Sequence, residues 1–144
     1  MQNGNSQVRF VYKHFPVVDR GAANGESTQA AEASECANAQ GKFWPYHDAL
    51  FALAKDASGQ PLENRGTFTA SRLKELAGQL GLDTNAFAQC FDSHKFASVV
   101  RADQSDGRSR GVNQTPTVFV NGQKLDNPLD WNEVQQAIEA GLKR

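Results

Sequence analysis

The chain has 144 residues, 39% hydrophobic and 22% charged, which suits one domain with a core of its own. Its 15 Lys and Arg are matched by 16 Asp and Glu, so charge does not point to nucleic acid or an anionic membrane. No apolar run approaches the roughly 20 residues that cross a bilayer, and Met1-Gln2-Asn3-Gly4-Asn5-Ser6 lacks the apolar centre of a signal peptide, so nothing in the sequence as it stands directs export.

Val8 to Val17 reads as a strand, by β-branched and aromatic content with partial alternation, and Pro16 ends it. Gly21 to Gly25 is a loop. Ser27 or Thr28 then caps a helix running through Gln40 and stopped by Gly41, with Ala30, Ala33 and Ala37 as a narrow apolar face suited to close packing. A second helix starts at Phe43, where Pro45 is tolerated in the first turn, and Phe43, His47, Leu50 and Ala54 form a core-facing stripe. The Asp56 to Gly66 loop, with Gly59, Pro61 and Gly66, is expected to be mobile.

Leu73, Leu76, Ala77 and Leu80 mark a helix ending at Gly81, and Phe87, Cys90 and Phe91 a shorter one capped by Asp83 or Thr84. From His94 to Arg110 a longer helix carries Phe96, Val100, Asp103 and Gly107 on one side, where the small Gly107 predicts a close crossing. Gly111-Val112-Asn113-Gln114-Thr115-Pro116-Thr117-Val118-Phe119-Val120-Asn121-Gly122 follows as loop, strand and hairpin. Asn121-Gly122 suits a type I′ turn, in which both central residues need φ > 0. Asp130 and Glu133 then open a last helix in capping-box fashion, with Trp131, Val134, Ala137, Ile138 and Leu142 as its buried face.

Gly-Val-x-x-Thr-Pro-Thr-x-Phe-x-Asn-Gly at Gly111 to Gly122 closely resembles the end of a thioredoxin-fold domain of the DsbA-like thiol-disulfide oxidoreductases. The strand at Val8 to Val17, Ala30-Ala31-Glu32-Ala33 followed by Cys36, Gly41-Lys42-Phe43-Trp44 with Tyr46-His47-Asp48, Leu80-Gly81-Leu82-Asp83, and Phe87 with Cys90 resemble the same family in order, over nearly the whole chain. The resemblance implies an α/β, thioredoxin-like fold of DsbA type with an inserted helical subdomain, N-terminally truncated. One domain spans 1–144, with 8–18 and 112–144 as its thioredoxin part and about 26–110 as the helical insertion and linking helix. It also implies an extracytoplasmic, periplasmic setting, disulfide exchange in exported proteins, and a cis Thr115-Pro116 bond. By composition alone an X-Pro bond is trans. Gln114, Thr115 and Pro116 become the candidate substrate-binding residues, because in that family the backbone before the proline pairs with an extended polypeptide.

The family's first strand and its Cys-x-x-Cys helix have no counterpart here, so no catalytic residue is assigned. In the implied fold that strand lies between Val8 to Tyr12 and Thr117 to Val120, and its loss would leave unpaired backbone groups along both. Either Val8 to Tyr12 pairs directly with the hairpin or a second copy of the chain fills the gap, and the expectation is a homodimer. Cys36 and Cys90 both fall mid-helix beside apolar residues. They read first as a structural disulfide, then as two buried thiols, and last as a redox pair.

Other chemistry is thin. His14, His47 and His94 show no paired metal-ligand spacing, so neither metal nor cofactor is called. Tyr46-His47-Asp48 are consecutive helical residues that point apart, and His47 reads as packed in the core. Arg101, Arg108 and Arg110 with Asp103 and Asp106 read as a solvated face. Two functions compete: a thiol-disulfide oxidoreductase acting on extended or unfolded proteins and missing its nucleophile, and a non-catalytic thioredoxin-fold dimer or peptide-binding module.

Overall fold

The structure, a computed structural model, describes residues 7–19, 25–56, 58–60, 62 and 65–143. Among these residues lie helices α1 (Glu26–Asn38), α2 (Phe43–Leu53), α3 (Ala70–Gln79), α4 (Thr84–Asp92), α5 (Ala97–Ser109) and α6 (Trp131–Leu142), and strands β1 (Phe119–Val120) and β2 (Gln123–Lys124). The described residues are therefore mostly helical, with a sheet of two strands among them. Of the predicted Gly21 to Gly25 loop, residues 20–24 lie outside the described residues, as do 57, 61, 63 and 64 of the predicted mobile loop.

The core forms where α1 meets α2, α3 and α4. Ala33 and Ala37 have no exposed surface, and Ala30 is buried beside them, so the predicted small-residue face is where the other helices close in. Leu73, Leu76 and Ala77 of α3, Phe87 and Phe91 of α4, and Tyr46 and Leu50 of α2 fill the space around it. Burial of such side chains is worth about 1.5–3 kcal/mol each for the larger ones. In α2 the predicted stripe shifts by one residue. Tyr46 is fully buried with its hydroxyl donating to Leu73 O at 2.8 Å, whereas Phe43 and His47 are half-buried on the helix flank. Burial also raises the Tyr46 phenol well above its ordinary value.

The cap of α1 is a correction to the local reading. Gly25 occupies the N-cap, and neither Ser27 nor Thr28 acts as one. Instead the Asp19 carboxylate accepts from Ser27 N at 3.1 Å, Thr28 N at 2.6 Å and the Thr28 hydroxyl at 2.7 Å. A carboxylate against the positive end of a helix satisfies orphan N–H groups whatever its position in the chain, so local spacing could not find it. Asp83 does cap α4, accepting from Asn85 N and Ala86 N at 3.0 Å each. The last long helix before the hairpin starts at Ala97 rather than His94, because His94 has φ 50° and closes α4 through Lys95 N to Cys90 O at 3.2 Å.

Residues 8–17, predicted as a strand, enter no ladder among the described residues. Their side chains nevertheless alternate as a strand's would. Phe10, Tyr12 and His14 make ring contacts with Phe43, Trp44 or His47 of α2, while Lys13 pairs with Asp103 and Phe15 lies against Gly107 on α5. Asp103 is thus buried, accepting from His14 N at 3.1 Å, and does not belong to a solvated face.

The hairpin pairs Phe119 with Lys124 and Val120 with Gln123, and Asn121 (φ 48°) and Gly122 (φ 84°) make the predicted turn. Among the described elements, helix α6 packs on β1 alone. Its predicted buried face is not buried: Trp131 is 68% exposed, Leu142 is exposed, and Val134, Ala137 and Ile138 are half-buried. A two-stranded hairpin is too narrow to cover a helix stripe. The predicted capping box is also only half present. Asp130 accepts from Asn132 N at 3.0 Å, but the Glu133 carboxylate takes Asp126 N at 2.8 Å and Asn127 N at 3.0 Å instead of returning to the cap.

A Cβ placed on Gly107 would lie 2.8 Å from a Phe15 ring carbon. Gly107→Ala is expected to lower stability by up to about 2 kcal/mol, the difference between crowding of roughly 1–3 kcal/mol and the roughly 1 kcal/mol gained in helix propensity. In a Phe15→Leu background thermal melts should show that loss removed. Equal losses in both backgrounds would mean that the Phe15 contact is not the cause.

Candidate functional site

Helix α5 delivers the chain to the candidate site by a Schellman ending. Gly111 N donates to Arg108 O at 3.0 Å and Val112 N to Gly107 O at 2.9 Å, with Gly111 at φ 73°. The chain then turns outward, leaving Gln114, Thr115 and Pro116 all exposed at the entry to β1. The Thr115-Pro116 bond is cis. Within the loop the Thr117 hydroxyl donates to Gln114 O at 2.7 Å. The three predicted binding residues therefore lie together as one exposed stretch of backbone and short side chains.

The cysteines lie elsewhere. Cys36 of α1 and Cys90 of α4 form a disulfide with Cα atoms 5.9 Å apart, so neither is a free thiol. Cys36 belongs to the buried core and Cys90 packs against it. Among the described elements, the hairpin that carries the Thr115-Pro116 loop packs against α6 alone. Disulfide and loop thus belong to different packing units, and the disulfide acts as a staple between α1 and α4.

Two carboxylates one turn apart on α1 hold histidines from distant segments. Glu35 accepts from His14 Nε2 at 2.9 Å, and this bond holds the Glu35 carboxyl below its ordinary value of 4.5. Glu32, buried, accepts from His94 Nδ1 at 2.8 Å. Without such partners the burial of a carboxylate would be costly. Among the described residues no three His, Cys, Asp or Glu side chains converge as metal ligands.

One surface was missed in the sequence. Phe10, Tyr12, Phe43, Trp44, His47 and Phe51 form a continuous aromatic strip, with centroid distances of 5.7 Å for Phe10 and Trp44, 5.1 Å for Tyr12 and His47, and 4.6 Å for His47 and Phe51. His47 therefore packs in this strip, with Nδ1 3.0 Å from Asp48, and not in the core. Desolvation in the strip raises the Tyr12 phenol. The available signal was the even-numbered alternation of residues 8–14 facing the i, i+4 series Phe43, His47, Phe51.

Comparison with known proteins places these observations in a family. The thioredoxin family model matches residues 1–140. The chain belongs to the thioredoxin family. Curated relatives of this thioredoxin-family chain include Na(+)/H(+) antiporter NhaA 1 of Mycobacterium sp. (strain KMS), 36% identical over 134 residues, covering 92% of this chain and 20% of the antiporter. NhaA of Herminiimonas arsenicoxydans is 31% identical over 136 residues, covering 94% of this chain and 19% of that protein. NhaA 3 of Salinispora tropica is 29% identical over 133 residues, covering 92% and 18%. The thioredoxin-family chain thus spans about a fifth of the length of the curated relatives it matches. No solved structure matches it. No helix among the described residues is long and apolar enough to cross a membrane.

Replacing Cys36 and Cys90 together with Ala should lower stability by up to about 4 kcal/mol, the loop-entropy value for a separation of 54 residues. Calorimetry should show the same drop when the unmodified protein is reduced and no further drop when the variant is. Glu35, whose carboxyl is held low, contributes stability that is complete above its unfolded value of 4.5 and is lost as pH falls through the folded value. Denaturant melts from pH 6 to pH 3 should therefore show a steeper acid loss in the unmodified protein than in Glu35→Gln, and parallel curves would remove the role given to the His14 bond.

Proposed function

We propose that this thioredoxin-family chain is the polypeptide-handling part of a DsbA-like thiol-disulfide oxidoreductase, in which the helices of residues 26–110 form the family's inserted subdomain. It acts on extended or unfolded exported proteins in the periplasm or another extracytoplasmic space. The observation that carries this reading is the exposed Gln114-Thr115-Pro116 loop at the entry to β1, in a chain whose family match covers residues 1–140. An extended substrate laid along that loop would be held by main-chain bonds, which tolerate many sequences. The Cys36–Cys90 disulfide supports the compartment, since such bonds persist where the surroundings are oxidising.

Exchange needs an attacking thiolate that bonds to one sulfur of the substrate disulfide while the other leaves as thiolate, and then a second cysteine that resolves the mixed disulfide. Neither can come from this chain, because both of its cysteines are joined to each other in the helical core. The dithiol is therefore supplied on a Cys-x-x-Cys segment joined to or docked beside the chain, and the assembled unit works as a homodimer.

A second reading is favoured by that same disulfide: a non-catalytic thioredoxin-fold module that binds peptides and uses its cysteines only as a staple. The resemblance of the same region to part of much longer antiporters fits a module that works within larger assemblies.

A disulfide-reduction assay separates the two readings. The 144-residue chain should be inactive, and a version with a Cys-x-x-Cys strand and helix placed before Val8 should reduce a model disulfide. Inactivity of both, with retained binding of an unfolded polypeptide, would leave the peptide-binding reading. Activity of the short chain that disappears in the Cys36→Ala, Cys90→Ala variant would overturn the structural role of that pair.

A further inference from the structure

We infer that the cleft between α5 and residues 15–17 is a side-chain subsite of the polypeptide-binding loop, in which Arg108 pairs with a glutamate of the extended chain bound along Gln114-Thr115-Pro116. The inference rests on the polypeptide-handling reading above and names the kind of sequence it favours. The cleft has a volume of about 200 Å³. Sites for whole small molecules run to roughly 300–1,000 Å³, so this one suits a single side chain of a longer ligand. Its apolar walls are Phe15, Pro16, Val17 and Val112, and its polar groups are Gln104, Arg108 and Asn113. The lining thus carries a cation and no acidic side chain among the described residues.

The contacts that shape the cleft also place the loop. A Cβ on Gly107 would lie 2.8 Å from a Phe15 ring carbon and 3.6 Å from Val112 Cβ, so the missing side chain lets both walls close on the helix. The bond from Val112 N to Gly107 O at 2.9 Å fixes the wall that continues into Asn113 and the loop. On the other side Gln104 Nε2 donates to Pro16 O at 3.2 Å and ties residues 15–17 to α5. Both carboxylates of α5 are committed to other cations, Asp103 to Lys13 and Asp106 to Arg110 Nε at 2.9 Å.

Pro16 is buried and Phe15 and Val112 are half-buried, while Arg108 and Asn113 are exposed at the rim. A glutamate matches that gradient. Its methylenes lie on the apolar walls, its carboxylate meets the planar guanidinium fork, and the Asn113 amide adds a donor. A lysine would set like charge against Arg108, and an apolar side chain would desolvate the guanidinium without pairing it. Consecutive Cα atoms are about 3.8 Å apart, so Asn113 and Pro116 are separated by at most about 11 Å. An extended ligand advances about 3.3 Å per residue, which puts the glutamate about three residues from the one beside Pro116.

The test uses the whole 144-residue chain and fluorescence anisotropy of labelled, unstructured, otherwise neutral peptides in which a single Glu is moved from position to position, each with its Gln counterpart. At the matching position Glu should bind about fivefold tighter than Gln, a preference that shrinks as salt rises. Arg108→Gln should remove the preference, and Arg108→Glu should reverse it in favour of Lys at the same position. Arg101→Gln, elsewhere on α5, should keep it. Equal binding of Glu and Gln peptides would overturn the subsite and leave the polypeptide reading standing. So would a preference that survives Arg108→Gln, or one that falls as much in Arg101→Gln. Failure of every peptide to bind would overturn both.

Discussion

Close packing against the alanine face of α1 is the constraint on which the rest of the helical body depends. Ala33 and Ala37 are fully buried, and their small side chains let α2 and α4 approach the helix backbone. Alanine contributes little transfer free energy, so the larger residues facing it, Tyr46, Leu73, Phe87 and Phe91, supply most of the apolar burial. Other faces of the same helix reach outward. Glu26 accepts from Gly66 N and Phe68 N, Glu32 and Glu35 hold His94 and His14, and Cys36 is bonded to Cys90. A single helix thus organises the loop before α3, the end of α4 and the segment before Asp19.

These ties explain why charged groups can sit at the edge of the core. Buried Glu32 is matched by a histidine that is itself held in the left-handed backbone region at the end of α4. Removing one partner of such a pair would leave a buried charge unmatched, which costs more than the pair contributes. Asp103 is satisfied in the same way, by a backbone N–H and by Lys13. The segment of residues 8–17 is thereby held against α2 and α5 although it joins no ladder among the described residues.

The hairpin and α6 follow a different logic. They pack on one another and reach the helical body through the chain that leaves α5. Their exposed apolar side chains, Trp131 and Leu142 above all, and the aromatic strip around Phe10 are what an α/β layer looks like when its sheet is two strands wide. The Gln114-Thr115-Pro116 loop is accessible, and the chain's own cysteines are committed to the staple.

Local chemistry was readable in the sequence. The small-residue face of α1, the Asp83 cap, the Asn121-Gly122 turn and the close approach at Gly107 each depend on residues within a few positions or on one missing side chain, and the structure has them as read. The cysteine pairing stood there as the first of three readings, and the exposed Gln114-Thr115-Pro116 loop as a resemblance. What local pattern could not supply was partnership across the fold. Asp19 caps a helix it does not belong to, Glu133 turns to the preceding loop, and His47 joins an aromatic strip in place of the core. The alternation of residues 8–17 is a property of the chain, but whether it becomes a ladder depends on a neighbouring strand. The amphipathic pattern of α6 likewise specifies an apolar face, and only the width of the sheet beneath decides how much of that face is buried. Sequence determines side-chain preference position by position, whereas burial and pairing need surfaces brought together from elsewhere, and that was decided by the tertiary structure.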